Sequence, residues 1–190
     1  MAELEAVAFV TGLLSVWLTQ RMHIANWPIG IVSVACFAWL FFDAELYADA
    51  ALQLVFIVLG AYGWWRWARE QAARQQVQVT RVPHQEALLG LAAAMLSTGA
   101  CAWLLTAHTD SPLPWPDAAV LSFSLLATWA QARGRLECWW VWIAVDVVSI
   151  PLYWSRALPL TAGLYVLFLA LCIAGVRSWG RRLQGGQVAA

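Results

Sequence analysis

The stretch LLSVWLTQRMHIANWPIGI (13–31) is answered 112 positions later by LLATWAQARGRLECWWVWI (125–143). Leu13, Leu14, Trp17, Arg21, Trp27 and Ile31 fall, without a gap, on Leu125, Leu126, Trp129, Arg133, Trp139 and Ile143. The same offset carries Ala50, Phe56, Gly63 and Trp67 onto Ala162, Phe168, Gly175 and Trp179. Leucine matches are cheap in apolar sequence. Four coincident tryptophan or arginine pairs and a glycine at one offset are not, so the chain holds two copies of one unit. Repeat one spans 3–68 and repeat two 115–179, with a polar linker at 69–85 and an additional apolar segment at 86–106.

Composition assigns these units to a membrane. Hydrophobic residues make up 62% of the 190 residues and charged residues 12%, with mean hydropathy +0.66. A soluble domain carries about 25% charged residues. Apolar runs here reach the ~18–20 residues that cross a hydrocarbon core. The reading is an all-α integral membrane protein, one transmembrane domain over 1–190. Seven transmembrane helices are expected at 3–20, 25–42, 47–68, 86–106, 115–132, 136–154 and 158–178. Trp27-Pro28 opens the second and Trp115-Pro116 the fifth, where proline's missing N–H has no intrahelical partner to lose. Ten of the eleven arginines fall on one side of this arrangement and only Arg156 on the other. The arginine-rich side is therefore expected to be cytoplasmic, with the N-terminus outside and the C-terminus inside.

Because the fourth helix returns the chain across the membrane, both three-helix units start on the same face. That makes a 3+1+3 arrangement with parallel repeats, related by an axis along the membrane normal. Transporters use this design, with substrate held near the midplane between the repeats. A duplicated scaffold or sensor that moves no solute is the competing reading. Zero net charge gives no footprint for nucleic acid. Cys36, Cys101, Cys138 and Cys172 fall on four different helices, which is neither a metal nor a redox pattern. No secretory leader is expected, since no basic residue precedes the first apolar run.

The chemistry points to helix six, LECWWVWIAVDVVSIPLYW (136–154). An ionisable group at mid-bilayer is costly and is retained chiefly where it meets a cavity or a partner. Asp146 is that group. At helical spacing Trp139, Trp142, Asp146, Ser149 and Tyr153 share its face. Aromatic surfaces, hydroxyls and one carboxylate suit a flat organic cation, through stacking, cation–π contact and charge pairing. Pro151 is expected to kink the helix. Gln53 and its counterpart Tyr165 are further cavity candidates, as is Trp129, which with Trp17 lies too deep for easy interface anchoring. Trp64, Trp65 and Trp67, beside Arg66 and Arg69, read as interface anchors. The bland alternatives are an interhelical hydrogen bond for Asp146 and an interface anchor for Trp139. His23, His84 and His108 are all expected in loops. With no nucleophile–base set and no metal ligands in the spans, neither an enzyme nor a cofactor or metal is expected. Facilitated diffusion is the simplest transport mechanism.

At these residues the chain resembles the PnuC family of bacterial vitamin transporters. The match is carried by NWPIGIVSVACFAWLFFDAELYADAALQ (26–53), YGWWRW (62–67), RLECWWVWIAVDVVSIPLY (135–153) and TAGLYVLFLALCIAG (161–175). The resemblance implies a fold related to the SWEET sugar transporters, an inner-membrane location and a homotrimer. It also implies uptake of nicotinamide riboside, trapped inside by a cytoplasmic kinase. The family's nicotinamide riboside carriers have asparagines in helix six where this chain has Cys138 and Asp146. Thiamine, which also carries a permanent positive charge, and the larger, neutral riboflavin are the alternative cargoes.

Overall fold

The computed structural model describes residues 2–43, 47–74, 77–109, 112–157 and 159–188. They form seven helices: α1 (Ala2–Gln20), α2 (Asn26–Asp43), α3 (Tyr47–Arg74), α4 (His84–His108), α5 (Pro114–Ala132), α6 (Cys138–Ser155) and α7 (Pro159–Val188). Leu158, the expected first residue of the last helix, and linker residues 75–76 lie outside the described residues. Apolar stretches long enough to cross a bilayer occupy Asn26–Asp43, His84–His108, Cys138–Ser155 and Pro159–Gly185. Together with outward-facing Leu88, Leu89, Leu96, Trp103 and Leu160, they make this a multi-pass membrane protein.

The fourth helix takes in His84 and His108, which were expected in loops, and two others run well beyond their apolar patterns. The expected spans end at 68 and 178, whereas α3 continues to Arg74 and α7 to Val188. The residues added to α3, REQAAR, are strong helix formers that carry the coil past the apolar region without needing burial; those added to α7, WGRRLQGGQV, mix such residues with three glycines. The first residues of the expected 69–85 linker are therefore helical.

The helices pack in matched pairs. Contacts of α1 with α2 and α2 with α3 correspond to those of α5 with α6 and α6 with α7, and α1 on α7 corresponds to α5 on α3. Only α4, which packs on α5, has no counterpart. Details repeat as well. Trp27 covers Gly63 so closely that a Cβ there would overlap its ring; Trp139 covers Gly175 in the same way. The turn after α1 passes through Met22 at φ 60 and the turn after α5 through Gly134 at φ +66, both left-handed. Met22 donates its N–H to Thr19 O and Gly134 to Gln131 O, each at 2.9 Å. Gly134 has an added reason to lack a side chain: a Cβ would lie 2.7 Å from the carbonyl oxygen of Gln78.

That carbonyl belongs to a docked linker. Thr80 N–H donates to Gly134 O and Leu136 N–H to Thr80 O, both at 3.0 Å. Arg135 Nη1 donates to Thr80 Oγ1 and to Arg81 O, and Val82 N–H donates to the Glu137 carboxylate. Arg135 also grips Glu86 at the start of α4 with two bonds of 3.1 and 2.8 Å. The linker and α4 are thus fastened to the α5–α6 turn.

The packing also corrects one expectation. Trp64 and Trp65 are exposed as interface residues, but Trp67 is fully buried. Its indole N–H donates 3.2 Å to Ala132 O at the end of α5, and Trp179 donates 3.1 Å to Thr19 O near the end of α1. The Trp67 indole thus satisfies a helix-terminal carbonyl, and the Trp179 indole shares Thr19 O with the Met22 N–H. Trp27, Trp67, Trp179 and Trp139 form a run of ring contacts with centroid spacings of 5.4, 6.2 and 5.4 Å.

Candidate functional site

A cavity of about 830 Å³ lies among α1, α2, α3, α5, α6 and α7, with Leu105 of α4 also lining it. Its size is in the range of small-molecule sites, about 300–1,000 Å³. One end is closed by the tryptophan run, since Trp27 and Trp139 line it and are 4% and 1% exposed. The other end reaches Thr109, Pro112, Asp117 and Arg156. There Arg156 Nη2 donates to Asp117 Oδ2 at 2.6 Å, joining the end of α6 to the start of α5.

Helix periodicity delivers most of the expected face. Trp139, Trp142, Asp146 and Tyr153 of α6 line the cavity, as do Gln53 of α3 and Tyr165 of α7. Tyr153 stacks on Tyr165 with centroids 5.1 Å apart, and Phe168 meets Tyr165 edge-on at 5.8 Å. Trp142 Nε1 donates 3.2 Å to Gln131 Oε1, and Gln131 Nε2 donates 3.4 Å to Thr19 Oγ1. Thr19 and Gln131 are themselves 112 positions apart. They meet at the centre line between the two units.

Two expected residues lie elsewhere. Ser149 is fully buried beside Tyr165 and does not line the cavity. Trp129 is not a cavity wall either: it packs against the buried cluster, with the Arg133 guanidinium 5.0 Å over its ring. Trp17 carries Arg21 in the same way at 4.0 Å. An arginine four residues on, at the same helical face, claims each ring for a cation–π pair. Trp139, for which an interface anchor was the alternative, is buried and lines the cavity.

The cavity wall carries unspent hydrogen-bonding capacity. Asn26 Oδ1, Trp27 Nε1, Trp139 Nε1 and Asp146 Oδ2 are buried without a hydrogen-bond partner in the protein, and all four residues line the cavity. Leaving such a group unpaired costs about 1–3 kcal/mol each, so a concentration of them in the residues around one void sets this wall apart. Two are donors and two are acceptors. Asp146, only 2% exposed, has the Cys172 thiol as a side-chain partner. Asn26 is held by its own amide, Nδ2 donating 2.8 Å to His23 O, while Ser15 Oγ donates to its backbone carbonyl. Its Oδ1 is left without a partner. Among the described residues no group of His, Cys, Asp or Glu side chains is placed to hold a metal.

Asn26, Trp27, Thr19 and Gln131 were not singled out from the sequence as site residues. The signal existed for one of them: Trp139 was a candidate, and the 112-residue offset maps it onto Trp27. Asn26 has Cys138 as its counterpart, so the repeat pointed away from it.

Comparison with known proteins bears on this cavity. The family model for the nicotinamide mononucleotide transporter matches residues 3–181. The riboflavin/roseoflavin transporter RibM of Streptomyces davaonensis is 33% identical over 94% of this chain and 84% of its own length. The nicotinamide riboside transporter PnuC of Escherichia coli is 23% identical over 93% of this chain and 84% of its own. A crystal structure of the vitamin B3 transporter PnuC superposes with a TM-score of 0.77 at 26% identity, covering 96% of this chain and 83% of that one.

Proposed function

The chain belongs to the nicotinamide mononucleotide transporter family, the PnuC family of transporters rather than enzymes, and from that premise we propose that it takes up nicotinamide riboside across the bacterial inner membrane. The observation that carries this reading is Asp146 beside unpartnered hydrogen-bonding atoms in an aromatic-lined cavity. A pyridinium ring with a permanent positive charge is matched by a carboxylate and by aromatic faces. Ribose hydroxyls can donate to Asn26 Oδ1 and accept from the indole N–H groups of Trp27 and Trp139. A group with both polarities is needed to satisfy both kinds of orphan.

The finer architecture belongs to the same proposal. We read seven crossings in a 3+1+3 arrangement of parallel, SWEET-like repeats, and the matched helix contacts and the repeated Trp–Gly seats support it. The arginine distribution argues for an N-terminus outside and a cytoplasmic C-terminus. On that orientation the cavity opens outward at Thr109 and Pro112, and the tryptophan run closes the cytoplasmic end. Release inward requires the two halves to part at Trp67 and Trp179. With no second buried acid among the described residues to relay protons, movement is facilitated diffusion, and accumulation depends on a cytoplasmic kinase that phosphorylates the vitamin. Assembly as a homotrimer follows from the family resemblance.

Riboflavin is the second reading, favoured by the 33% identity to RibM. Thiamine, charged like nicotinamide riboside, is served by the same carboxylate. Titration of purified protein with all three, followed by tryptophan fluorescence, decides among them. Nicotinamide riboside is expected to bind tightest and to drive counterflow in proteoliposomes without an ion gradient. Saturable binding of riboflavin alone overturns the cargo assignment; abolition of counterflow by ionophores overturns the mechanism; no counterflow with any vitamin favours the scaffold or sensor.

A further inference from the structure

A second cavity, of about 490 Å³, lies on the opposite flank from α4, between the end of α1 and the C-terminal half of α7. Trp17, Arg21, Ile173, Arg177 and Arg181 line it. Three guanidinium groups therefore converge on one groove, and no acidic residue lines it. Among the described residues none of the three arginines has an ion-pair partner: Arg81, Arg133, Arg135 and Arg156 pair with acids, and these do not. The nearby backbone acceptors are already taken. Ser178 Oγ donates 2.8 Å to Gln20 O, and Arg182 Nη2 donates 3.0 Å to Arg21 O. Arg21, which lies over the Trp17 ring, and Arg177 and Arg181 thus lack an anionic partner, at the point where exposed Trp17 and Ile173 present an apolar flank.

The counterpart of this groove, 112 residues on, shows what is missing. There Arg133 lies over Trp129 as Arg21 lies over Trp17. But Arg133 is also paired with Glu86 from the first turn of α4, Nε to Oε1 at 3.4 Å. Since α4 has no counterpart, the carboxylate that neutralises one arginine is absent from the other. We propose that the groove between α1 and α7 binds the phosphate headgroup of an anionic phospholipid, which gives Arg21 the negative partner that Glu86 gives Arg133. Guanidinium forks suit phosphate oxygens bidentately. The groove floor, with Ala170, Ala174 and Ile173, is open to an acyl chain running down the helices. Basic pockets between membrane helices, at the level of the headgroups, recognise anionic lipid in this way.

The test uses the full chain in nanodiscs of mixed phosphatidylglycerol and phosphatidylcholine, then native mass spectrometry to count retained lipid. The wild type is expected to keep phosphatidylglycerol in preference to phosphatidylcholine. The Arg21→Gln/Arg177→Gln/Arg181→Gln variant is expected to lose that preference by about 100-fold, at roughly one tenfold step or less per arginine. Arg177→Gln alone, a milder change should the triple variant not fold, is expected to reduce it about fivefold. Equal retention of the two lipids by the wild type, or undiminished phosphatidylglycerol retention in Arg177→Gln, overturns the proposal. So does inorganic phosphate that stabilises the detergent-solubilised protein as well as phosphatidylglycerol does, because the ligand would then be a free anion. The readout is lipid count, so it stands or falls separately from any failure of vitamin transport.

Discussion

Two sets of residues line the same cavity from equivalent positions, and they are chemically unalike. Val34, Phe41 and Gly30 of α2 correspond at the 112-residue offset to Asp146, Tyr153 and Trp142 of α6, and all six line it. At these positions the first half is apolar; the second carries a carboxyl group, a phenol and an indole. Packing counterparts agree: Trp27 with Trp139, Gly63 with Gly175, Trp67 with Trp179, and the left-handed turns at Met22 and Gly134. Duplicated residues hold the halves in shape. The positions that differ are where the duplication has been put to chemical use, and only one half has acquired the charge.

That contrast can be broken at its sharpest point first. Asp146→Asn is expected to weaken binding of a cationic vitamin by about 100-fold or more, the loss of one partner of a buried charge pair, with an unchanged melting temperature. Wild-type affinity in that variant would make the residue structural. Transposing the pair as Val34→Asp/Asp146→Val should recover none of the affinity, because Gly30 and Phe41 supply neither the indole nor the hydroxyl. Recovery in a binding titration would show that the two walls are interchangeable.

Smaller effects sharpen the agreement between the halves. Gly63→Ala and Gly175→Ala should each destabilise by about 2 kcal/mol through overpacking against a tryptophan ring, measured as matching drops in detergent melting temperature. Only Gly175→Ala should also disturb the polar wall and lower uptake. Glu86→Gln removes the shared partner of Arg133 and Arg135, and about 1–2 kcal/mol of stability is expected to go with it, while vitamin affinity stays as it was. Tyr153→Phe copies Phe41 into the second half, and a loss of about threefold in affinity is expected for one hydroxyl contact.

Much of the fold was legible because membrane helices announce themselves by apolar length and the repeat by constant spacing. The helix extensions to Arg74 and Val188 were not, since charged residues end an apolar run without ending a helix. Within the site, periodicity found Trp139, Trp142, Asp146 and Tyr153 because one helical face meets one cavity. It also brought in Ser149, which the turn of α6 directs toward Tyr165 instead. Trp129 escaped a reading by depth because Arg133, one turn away, takes its ring. Asn26 was hidden for a different reason: a buried amide with one satisfied end and one unsatisfied end can be identified only after its neighbours are in place. Trp67 sits among exposed tryptophans in sequence, and its burial rests on the Ala132 carbonyl and the rings of Trp27 and Trp179.

The run of four indoles has a consequence for spectroscopy. Rings spaced 5.4, 6.2 and 5.4 Å apart exchange excitation far faster than they emit. Trp27, Trp67, Trp179 and Trp139 therefore behave as one antenna. A cargo that quenches either terminal indole at the cavity darkens all four, and parting of Trp67 from Trp179 splits the antenna into two independent emitters. The polarisation of tryptophan fluorescence, depressed by energy migration while the run is intact, should rise when it divides, so the native chain carries its own optical signal for opening.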